Sequence, residues 1–600
     1  MPSTFFGLNI GTSGLYTYQA ALNTTYHNIT NTETEGYTRQ VLNQKAADAI
    51  RVNGSYGMVG AGVNATGISQ TRDAYYDLKY RKNNAALGDY SAKQYYATEI
   101  ENYFNEVSVK GFTTSFNSVF DSLQELTKNP SSLTTRTQLV NYAKNMTEYF
   151  NGMANSLKSI QEESNFEIKT QVDRINSLGQ QIAGVTKQIN TLEAGGGFAN
   201  DLRDQRNVLV DELSKIVNVS VSENVVGQGV GVTSYMVKIE GQILVNSNDY
   251  NTLKVVPRED KINQNDADGL YDIQWSNGND FAFQNTVSGS YLNSLFQVRD
   301  GNNGVYLNGT VTGRDTTANT ITLENSTIND IAKLNIPESG SITINNRAFT
   351  YKSYTVTETA GKLSYTFEME EDVSVLPDPT DPANAAYSAG VGESVAYKGI
   401  PYYMSQLNEL VRTFAMEFNA VHKSGYDLKG AQGVNFFAAK MPATGDDYNL
   451  DDATNTTKPV VGYQYLTAAN FTVAQEVYKD PSKIVTADAV ITDGVENSKI
   501  AQKLFALKDK TAMFKQGTPA SYFQTLVAEI GIDSKKATDN AKNQEDILDL
   551  VKNQRLSVSG VDIDEEAMNM VKFQKAYNLS AKAISVMNEI YDKLINDTGV

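Results

Sequence analysis

Cysteine is absent from all 600 residues of the sequence, and only two histidines occur, His27 and His422. The missing thiols exclude a disulfide, a thiolate nucleophile and a sulfur-ligated metal. Two histidines also leave little material for a histidine metal site or a Ser-His-Asp triad. We therefore expect no metal, no cofactor and no enzyme activity.

Long apolar runs and basic residues are also scarce. No stretch of eighteen apolar residues occurs, which argues against membrane insertion. The first charged residue is Glu33, so the basic start of a cleaved secretory signal is missing, and an exported chain would need another route. Acidic residues outnumber basic ones by 69 to 51, for a net charge of −18, which argues against nucleic acid as a partner.

What the chain does contain is enough apolar material for several folded units. The apolar share is 40% and the charged share 20%, which is typical of globular domains rather than of disordered chains. Six hundred residues suggest three to five domains. Helical and alternating patterns both occur along the chain. Together they indicate an α+β multidomain protein.

The last forty residues carry a seven-residue apolar repeat. Its two rows are Ile563, Met570, Tyr577, Ile584 and Tyr591, and Phe573, Met587 and Leu594. A second stripe beside them consists of Ala576, Leu579, Ala583, Val586 and Ile590. A helix that is apolar over so wide an arc needs neighbours on several sides.

The other end of the chain repeats the same period. Its apolar row is Leu8, Leu15, Leu22 and Ile29. Two heptad helices at opposite ends of a chain are suited to an antiparallel pair, and isolated helices are marginal in water. We therefore predict that both rows are self-assembly surfaces that pack between copies of the chain. An ordinary core helix of a monomer is the alternative for this pattern.

Short motifs flank both repeats. Near the N-terminus they are Ser13-Gly14-Leu15, Asn28-Ile29-Thr30-Asn31 and Gly36-Tyr37-Thr38-Arg39, and near the C-terminus Ser559-Gly560-Val561, Asp564-Glu565-Glu566, Phe573-Gln574 and Ala576-Tyr577. These motifs resemble the terminal signatures of bacterial flagellar rod, hook and hook-associated proteins. The resemblance implies a long coiled-coil-like helical bundle built from both chain ends, with β-rich domains facing outward.

Between the ends, periodicity predicts further elements. Helical spacing runs from Ala86 to Leu126, from Leu133 to Leu192 and from Asn200 to Ile216, and it changes to alternation at Val217. The resulting domains are 1–50 with 558–600 for polymerisation, 51–216 with 397–437 and 491–557 as a helical bundle, 217–301 as a β-rich domain, 302–396 as an inserted β module, and 438–490 as an unassigned mixed segment.

The resemblance also implies a function. The stretch from Tyr402 to Phe437 is similar to the family members that join the flagellar hook to the filament. It implies a ring of identical subunits whose partners are hook protein, a second junction protein and a cytoplasmic export chaperone at the C-terminal helix. It also implies export through the flagellar type III channel, without a cleaved signal peptide, to an extracellular position on the flagellum. The alternative is a hook or filament subunit.

Four other patterns could carry chemistry, and each has a structural explanation. The cluster Gly227, Gly229 and Gly231 lacks the lysine and helix of a phosphate loop. The segment 264–275 resembles a calcium loop but begins with Gln264 and ends with Trp275, so a solvated turn is expected. His422 is expected near a helix C-terminus, where the dipole favours it. A carboxylate pair for a hydrolase could come only from Asp372, Asp378 and Asp381, which lie in proline-rich sequence.

Overall fold

The computed structural model describes residues 5–51, 57–104, 111–226, 232–281, 289–359, 361–382, 384, 386–451, 462–490 and 497–596. Gly227, Gly229 and Gly231 lie outside these ranges. The helices within them are α1 Phe6–Thr30, α2 Ala74–Phe104, α3 Phe112–Lys128, α4 Leu133–Glu193, α5 Asn200–Ile216, α6 Tyr291–Asp300, α7 Ile400–Lys423, α8 Gln475–Lys479, α9 Lys499–Ala506, α10 Pro519–Ser559 and α11 Ile563–Asn596.

The longest helix, α4, follows the predicted bounds closely. The Ser132 side chain caps its start by accepting a hydrogen bond from the Thr135 amide at 3.3 Å. The apolar positions at three- and four-residue steps from Ile168 to Ile189 are buried, as periodicity requires, whereas Leu192 at the end of the row is exposed. Gly196 and Gly197 follow its end with φ of 90° and 102°, a backbone conformation that favours glycine. The predictions for α4 and α5 are confirmed.

Predicted and observed helices differ before α4. The sequence predicted one helix from Ala86 to Leu126, whereas the structure has α2 and α3 over this region. The apolar period continues across the break because both helices contribute buried side chains to one core. Periodicity reports a shared buried face, and it does not distinguish one helix from two that use the same core.

The strands form small antiparallel sheets and one barrel. They are β1 Gln40–Ala46, β2 Ile50–Arg51, β3 Met58–Val59, β4 Val63–Gln70, β5 Val219–Val225, β6 Thr233–Ile239, β7 Gln242–Asn246, β8 Asp249–Tyr250, β9 Leu253–Pro257, β10 Tyr271–Trp275, β11 Leu307–Asp315, β12 Thr320–Glu324, β13 Gly340–Ile344, β14 Arg347–Thr359, β15 Lys362–Met369, β16 Ser388–Val391, β17 Phe437–Ala439 and β18 Phe471–Val473. Strands β5 to β8 form a meander, and the barrel order is β11-β12-β15-β14-β13-β16.

Two hydrophobic cores contain most of the buried apolar side chains of the described residues. The larger core contains side chains from helices α2 through α7, from the β5–β10 strands, from the segment around Phe437 and Phe471, and from α9 and α10. The smaller core fills the barrel. Of the residues described, neither core includes one from α1 or α11. The chain ends are therefore held by contacts other than a shared core.

Strand pairing and core membership do not follow the predicted domain boundaries at three places. Strand β4 pairs with β1 in the register Gln40↔Gln70 and packs on α1, so residues 63–70 lie with the chain ends rather than with the bundle. The β5–β10 strands share the core of the helices instead of enclosing one of their own. The described parts of 438–490, including Phe471, also pack into that core. Local patterning did not reveal these long-range contacts.

The inserted module forms the barrel, and the two chain segments that connect it to the bundle lie next to each other. The Gly399 amide donates to the Gly301 carbonyl at 3.1 Å, so entry and exit lie side by side. From α7, Arg412 reaches the module and donates to the carbonyls of Leu334 at 2.5 Å and Leu466 at 2.6 Å. A fully buried guanidinium therefore joins the barrel to the bundle through backbone oxygens.

Among the described helices, none combines the length and the mean hydropathy that crossing a membrane requires.

Candidate assembly site at the paired chain ends

The two terminal helices lie antiparallel along each other. From the start of α1 onward, Gly7 lies against Met587, Gly11 against Ile584 and Gly14 against Ser580. Beyond Gly7, the rings of Phe5 and Tyr591 meet with centroids 5.0 Å apart. Residue numbers rise on one helix as they fall on the other. The predicted antiparallel pairing of the chain ends is therefore present in the structure.

Small residues on α1 form the contact. A Cβ atom added at Gly11 would lie 2.8 Å from Cγ1 of Ile584, and one at Gly14 would lie 2.9 Å from Oγ of Ser580. Side chains of α11 therefore rest directly on the α1 backbone. The buried residues of α1 are Gly11, Gly14, Thr17, Ala21, Thr24, Thr25 and Asn28.

This seam differs from the row that apolar periodicity predicted for α1. Leu8, Leu15, Leu22 and Ile29 lie beside the seam and are only half-buried. The missed signal was a second seven-residue repeat, Gly7, Gly14, Ala21 and Asn28, one position earlier. A search for apolar side chains overlooks it because glycine contributes close approach instead of apolar surface.

On α11 the predicted residues divide into two groups. Met570, Phe573, Tyr577, Ile584 and Met587 are half-buried and Tyr591 is buried, while Ile563 and Leu594 are exposed. The second stripe is more open to solvent. Leu579 is 71% exposed, Ile590 51% and Val586 41%. Pairing with α1 therefore leaves an apolar face along α11 uncovered in the single chain.

The N-terminal motifs tie the base of the pair together. Asn28 is buried and donates from Nδ2 to Glu566 at 3.1 Å and to the Gln40 carbonyl at 2.9 Å. Its Oδ1 accepts from the Tyr37 hydroxyl at 2.8 Å. Burial, together with nearby carboxylates, raises the pKa of Tyr37, which keeps this donor protonated. Asn28 thus joins α1, β1 and α11 in one network.

Arg39 makes the ionic part of the same joint. Its Nε donates to Glu566 at 2.9 Å, its Nη2 to Glu565 at 2.6 Å, and its amide to the Ser559 carbonyl at 2.9 Å. The sequence analysis noted the acidic first turn of α11 only as a motif. In the structure two of these carboxylates bind the N-terminal motif directly, and such charge-assisted hydrogen bonds are among the stronger ones.

A second set of charges links the joint to the bundle. Thr38 donates from its hydroxyl to Asp204 of α5 at 2.6 Å. Arg72 pairs with Asp77 at 2.7 Å and with Asp204 at 3.3 Å, and Arg555 of α10 pairs with Asp77 at 2.9 Å. Burial opposes ionisation of Asp77, but its arginine partners hold its pKa below the usual value. We call the joint of Asn28, Thr38, Arg39, Asp204 and Glu566 the terminal lock.

Two of the carboxylates named as a possible hydrolase pair serve local turns. Asp372 is exposed and Asp378 half-buried, each caps a short turn, and hydrogen bonds from Ser374 and Thr380 lower their pKa values. A glycosidase acid needs the opposite shift. Within the part of the chain that is described, no cluster of three His, Asp or Glu side chains is arranged for a metal ion.

Two local expectations hold only in part. The turn after Gln264 exposes Asp268 and Gly269, but Asp266 is buried and accepts from the Gln161 amide and the Asn263 backbone at 2.8 Å. His422 lies in the last turn of α7, as expected, and it is fully buried. Burial lowers its pKa to about 4.

Comparison with known proteins finds relatives over nearly the whole chain. A family model described as "Flagellar hook-associated protein FlgK helical domain" matches residues 97–322 and 300–437, more than half of the chain. A model described as "Flagellar basal body rod FlgEFG protein C-terminal" matches residues 552–597, which contain α11. Relatives named flagellar hook-associated protein 1 are 28% identical in Bacillus subtilis and 25% identical in Escherichia coli, covering 100% and 98% of this chain and 99% of each relative.

A solved structure titled as the flagellar hook junction protein FlgK from Burkholderia pseudomallei matches with 14% identity and a TM-score of 0.45, over 80% of this chain and 100% of that one.

The paired chain ends, with the rod-type C-terminal segment, define a structural protein of the flagellar axis. Within that class, the chain belongs to the family of the flagellar hook-associated protein FlgK. This is a family of structural flagellar proteins.

Proposed function

We propose that this chain is the structural subunit that joins the flagellar hook to the filament and that it assembles through its paired terminal helices. The names of its relatives support the place in the flagellum. The observation that carries the assembly proposal is the uncovered apolar face of α11, where Leu579, Val586 and Ile590 are exposed. Exposed apolar surface of this extent marks an interaction site.

The proposed contact is burial of this face against a neighbouring copy. Covering three such side chains contributes on the order of 5 kcal/mol before the cost of association. A face that meets a different surface on the next copy forms a ring or a helix rather than a closed dimer. Because α11 already rests on α1, we propose that both helices of one copy contact the next as a unit. Lys575, Lys582 and Asp592 lie exposed on α11 and would set the register by charge pairing.

The other proposed partners follow from the same surface. Hook protein on one side and a second junction protein on the other would contact the two ends of the ring. Before assembly, a cytoplasmic export chaperone would cover the apolar face of α11, which otherwise favours aggregation. Export through the flagellar type III channel then places the subunit at its extracellular position.

The test uses a strain that lacks this chain, complemented with variants. Leu579→Asp places a charge at the proposed contact, while Asn578→Asp adds the same charge at the neighbouring exposed position. We expect Leu579→Asp to abolish incorporation into hooks and filament growth, because burying an unpaired charge is costly. The control should incorporate at the wild-type level.

Electron microscopy and labelling of isolated hooks give the readout. Incorporation of Leu579→Asp at the wild-type level would contradict assembly through this face. The uncomplemented strain tests the position in the flagellum separately. Hooks without filaments fit the junction, whereas missing hooks would identify a hook subunit instead.

A further inference from the structure

A cavity of about 680 Å³ lies where the barrel, the β9–β10 loop and the segment after β17 meet. Its floor includes Ala154 of α4 and Met404 of α7. This volume is within the range of small-molecule sites. The lining contains no residue of α1 or α11, so the assembly function does not use this cavity.

One wall is an aromatic platform. Tyr448 and Tyr465 both line the cavity, and their rings stack with centroids 4.9 Å apart and planes 6° apart. The Tyr448 hydroxyl donates a hydrogen bond to Glu338 at 3.0 Å, and this bond holds the Tyr448 ring in position. The two rings stack on each other and do not enclose a space, so they offer one flat apolar face rather than a cage for a cation.

The rest of the lining includes polar side chains that make no polar contact with other described protein groups. Among the described residues, the side chains of Glu259, Asp260, Asn155 and Lys158 line the cavity and make no hydrogen bond or ion pair. Asn155 and Lys158 can donate hydrogen bonds to a ligand, and Glu259 and Asp260 can accept them.

The charged side chains that line the cavity limit which ligands it can bind. Five carboxylates line the cavity against three basic side chains, and Lys261 is already paired with Asp268 at 2.9 Å. This excess of negative charge opposes phosphate or carboxylate ligands. The polar wall equally opposes a wholly apolar ligand.

We propose that this cavity binds an uncharged saccharide of one to three sugar units. A sugar ring has one apolar face for the tyrosine platform and hydroxyls that donate to Glu259 and Asp260. A ring or hydroxyl oxygen accepts from Lys158 Nζ or Asn155 Nδ2. The site would make the subunit a saccharide-binding surface on the flagellum as well as a structural element.

Ligand-observed saturation-transfer NMR on the full chain tests the proposal. The probes are cellobiose, maltose and chitobiose as neutral saccharides, with sialyllactose and inorganic phosphate as anionic ones. We expect at least one neutral saccharide to bind. We also expect Tyr465→Ala to weaken binding by about tenfold, because it removes half of the stacked platform. Tyr250→Ala, at an exposed tyrosine outside the cavity, should leave binding unchanged.

Asp260→Asn provides a second variant that keeps the size of the side chain but removes its charge and replaces one acceptor oxygen by an amide donor. It should weaken binding of the same saccharide while the thermal unfolding curve stays unchanged. The proposal is overturned if no neutral saccharide gives saturation transfer at about 10 mM, a concentration that detects even weak binding. It is equally overturned if the anionic probes bind better, or if Tyr465→Ala and Tyr250→Ala bind alike.

Discussion

Several of the largest buried side chains in this protein are arginines held by backbone oxygens. Arg136 and Arg412 have no carboxylate partner among the described residues, and burial lowers the pKa of each to about 10. Both therefore remain charged at neutral pH. Each guanidinium donates to carbonyls from chain segments far apart in sequence, such as Pro130 and Ile484 for Arg136. A few single residues thus hold together segments that lack regular secondary structure.

His422 makes a similar connection in its neutral form. Nε2 accepts from the Val485 amide at 3.0 Å, so Nδ1 carries the proton and donates to the Val434 carbonyl at 2.6 Å. Its pKa is about 4 in the folded chain and near 6.5 when unfolded. Below pH 6.5 this histidine binds a proton in the unfolded chain, whereas in the folded chain it stays neutral until the pH approaches 4. Stability from this residue is complete above pH 6.5 and is lost as pH falls toward 4, on the order of 3 kcal/mol in total.

The measurement is a ring titration by NMR in a His27→Gln background, which leaves one histidine signal. We expect the ring to stay neutral until close to pH 4. His422→Gln keeps one donor and one acceptor, and it should flatten the dependence of unfolding free energy on pH between 6.5 and 4. A ring that titrates near its ordinary value would contradict the buried, neutral state.

At the scale of elements, the contact between α1 and α11 depends on glycine. The seam places Ile584 so close to Gly11 that no Cβ fits without movement. The terminal lock then fixes the base of the pair to the bundle through Arg39 and Asp204. The pair is thus attached at one end and apolar along its free face.

Gly11→Ala tests this seam. A methyl group there should force the helices apart at a cost of about 1–3 kcal/mol, against a gain in helix propensity of at most about 1 kcal/mol. Amide exchange of α11 should accelerate. Gly152→Ala, at a helical glycine with open space around it, should leave α11 unaffected.

A double variant separates crowding from other effects. Ile584→Ala removes the clashing side chain, so Gly11→Ala should cost less in that background than alone, with a coupling of about 1 kcal/mol or more. Equal costs in both backgrounds would show that the two residues do not meet.

At the scale of the whole molecule, the barrel is separable and the β5–β10 strands are not. The barrel has its own core, and its connecting segments run antiparallel, with the Asn303 amide donating to the Tyr397 carbonyl at 2.8 Å. Removing residues 305–395 would leave a two-residue turn of Gly304 and Ala396, a length that antiparallel connections favour. Arg412 would then face solvent, where its charge is hydrated.

We expect this deletion to keep the bundle folded, with a melting temperature within about 5 °C of the full chain, and to restore filaments in the complemented strain. Removing residues 219–281 is the contrast, because those strands share the core of the helices, and it should abolish folding. Loss of filaments despite a folded bundle would show that the barrel takes part in assembly.

Much of the fold was predictable where local pattern and packing agree. Helices α4 and α5 followed from apolar spacing, and the inserted module predicted at 302–396 contains the barrel strands β11 to β16. The site was predictable only in part. The α11 row that packs on α1 came from its heptads, whereas the α1 seam of Gly11 and Gly14 did not, because close approach leaves no apolar trace in a sequence.

What the sequence determined by itself is the class of the protein. Heptads and motifs at both ends specify a structural subunit because each is a local property of the chain. Only the tertiary structure decided which side of each terminal helix is used. Glu566 meets Asn28 and Arg39 across more than five hundred residues, and that pairing turns one stripe of α11 inward and leaves Leu579, Val586 and Ile590 in solvent. The direction of a face depends on its neighbours in space, which no local pattern contains.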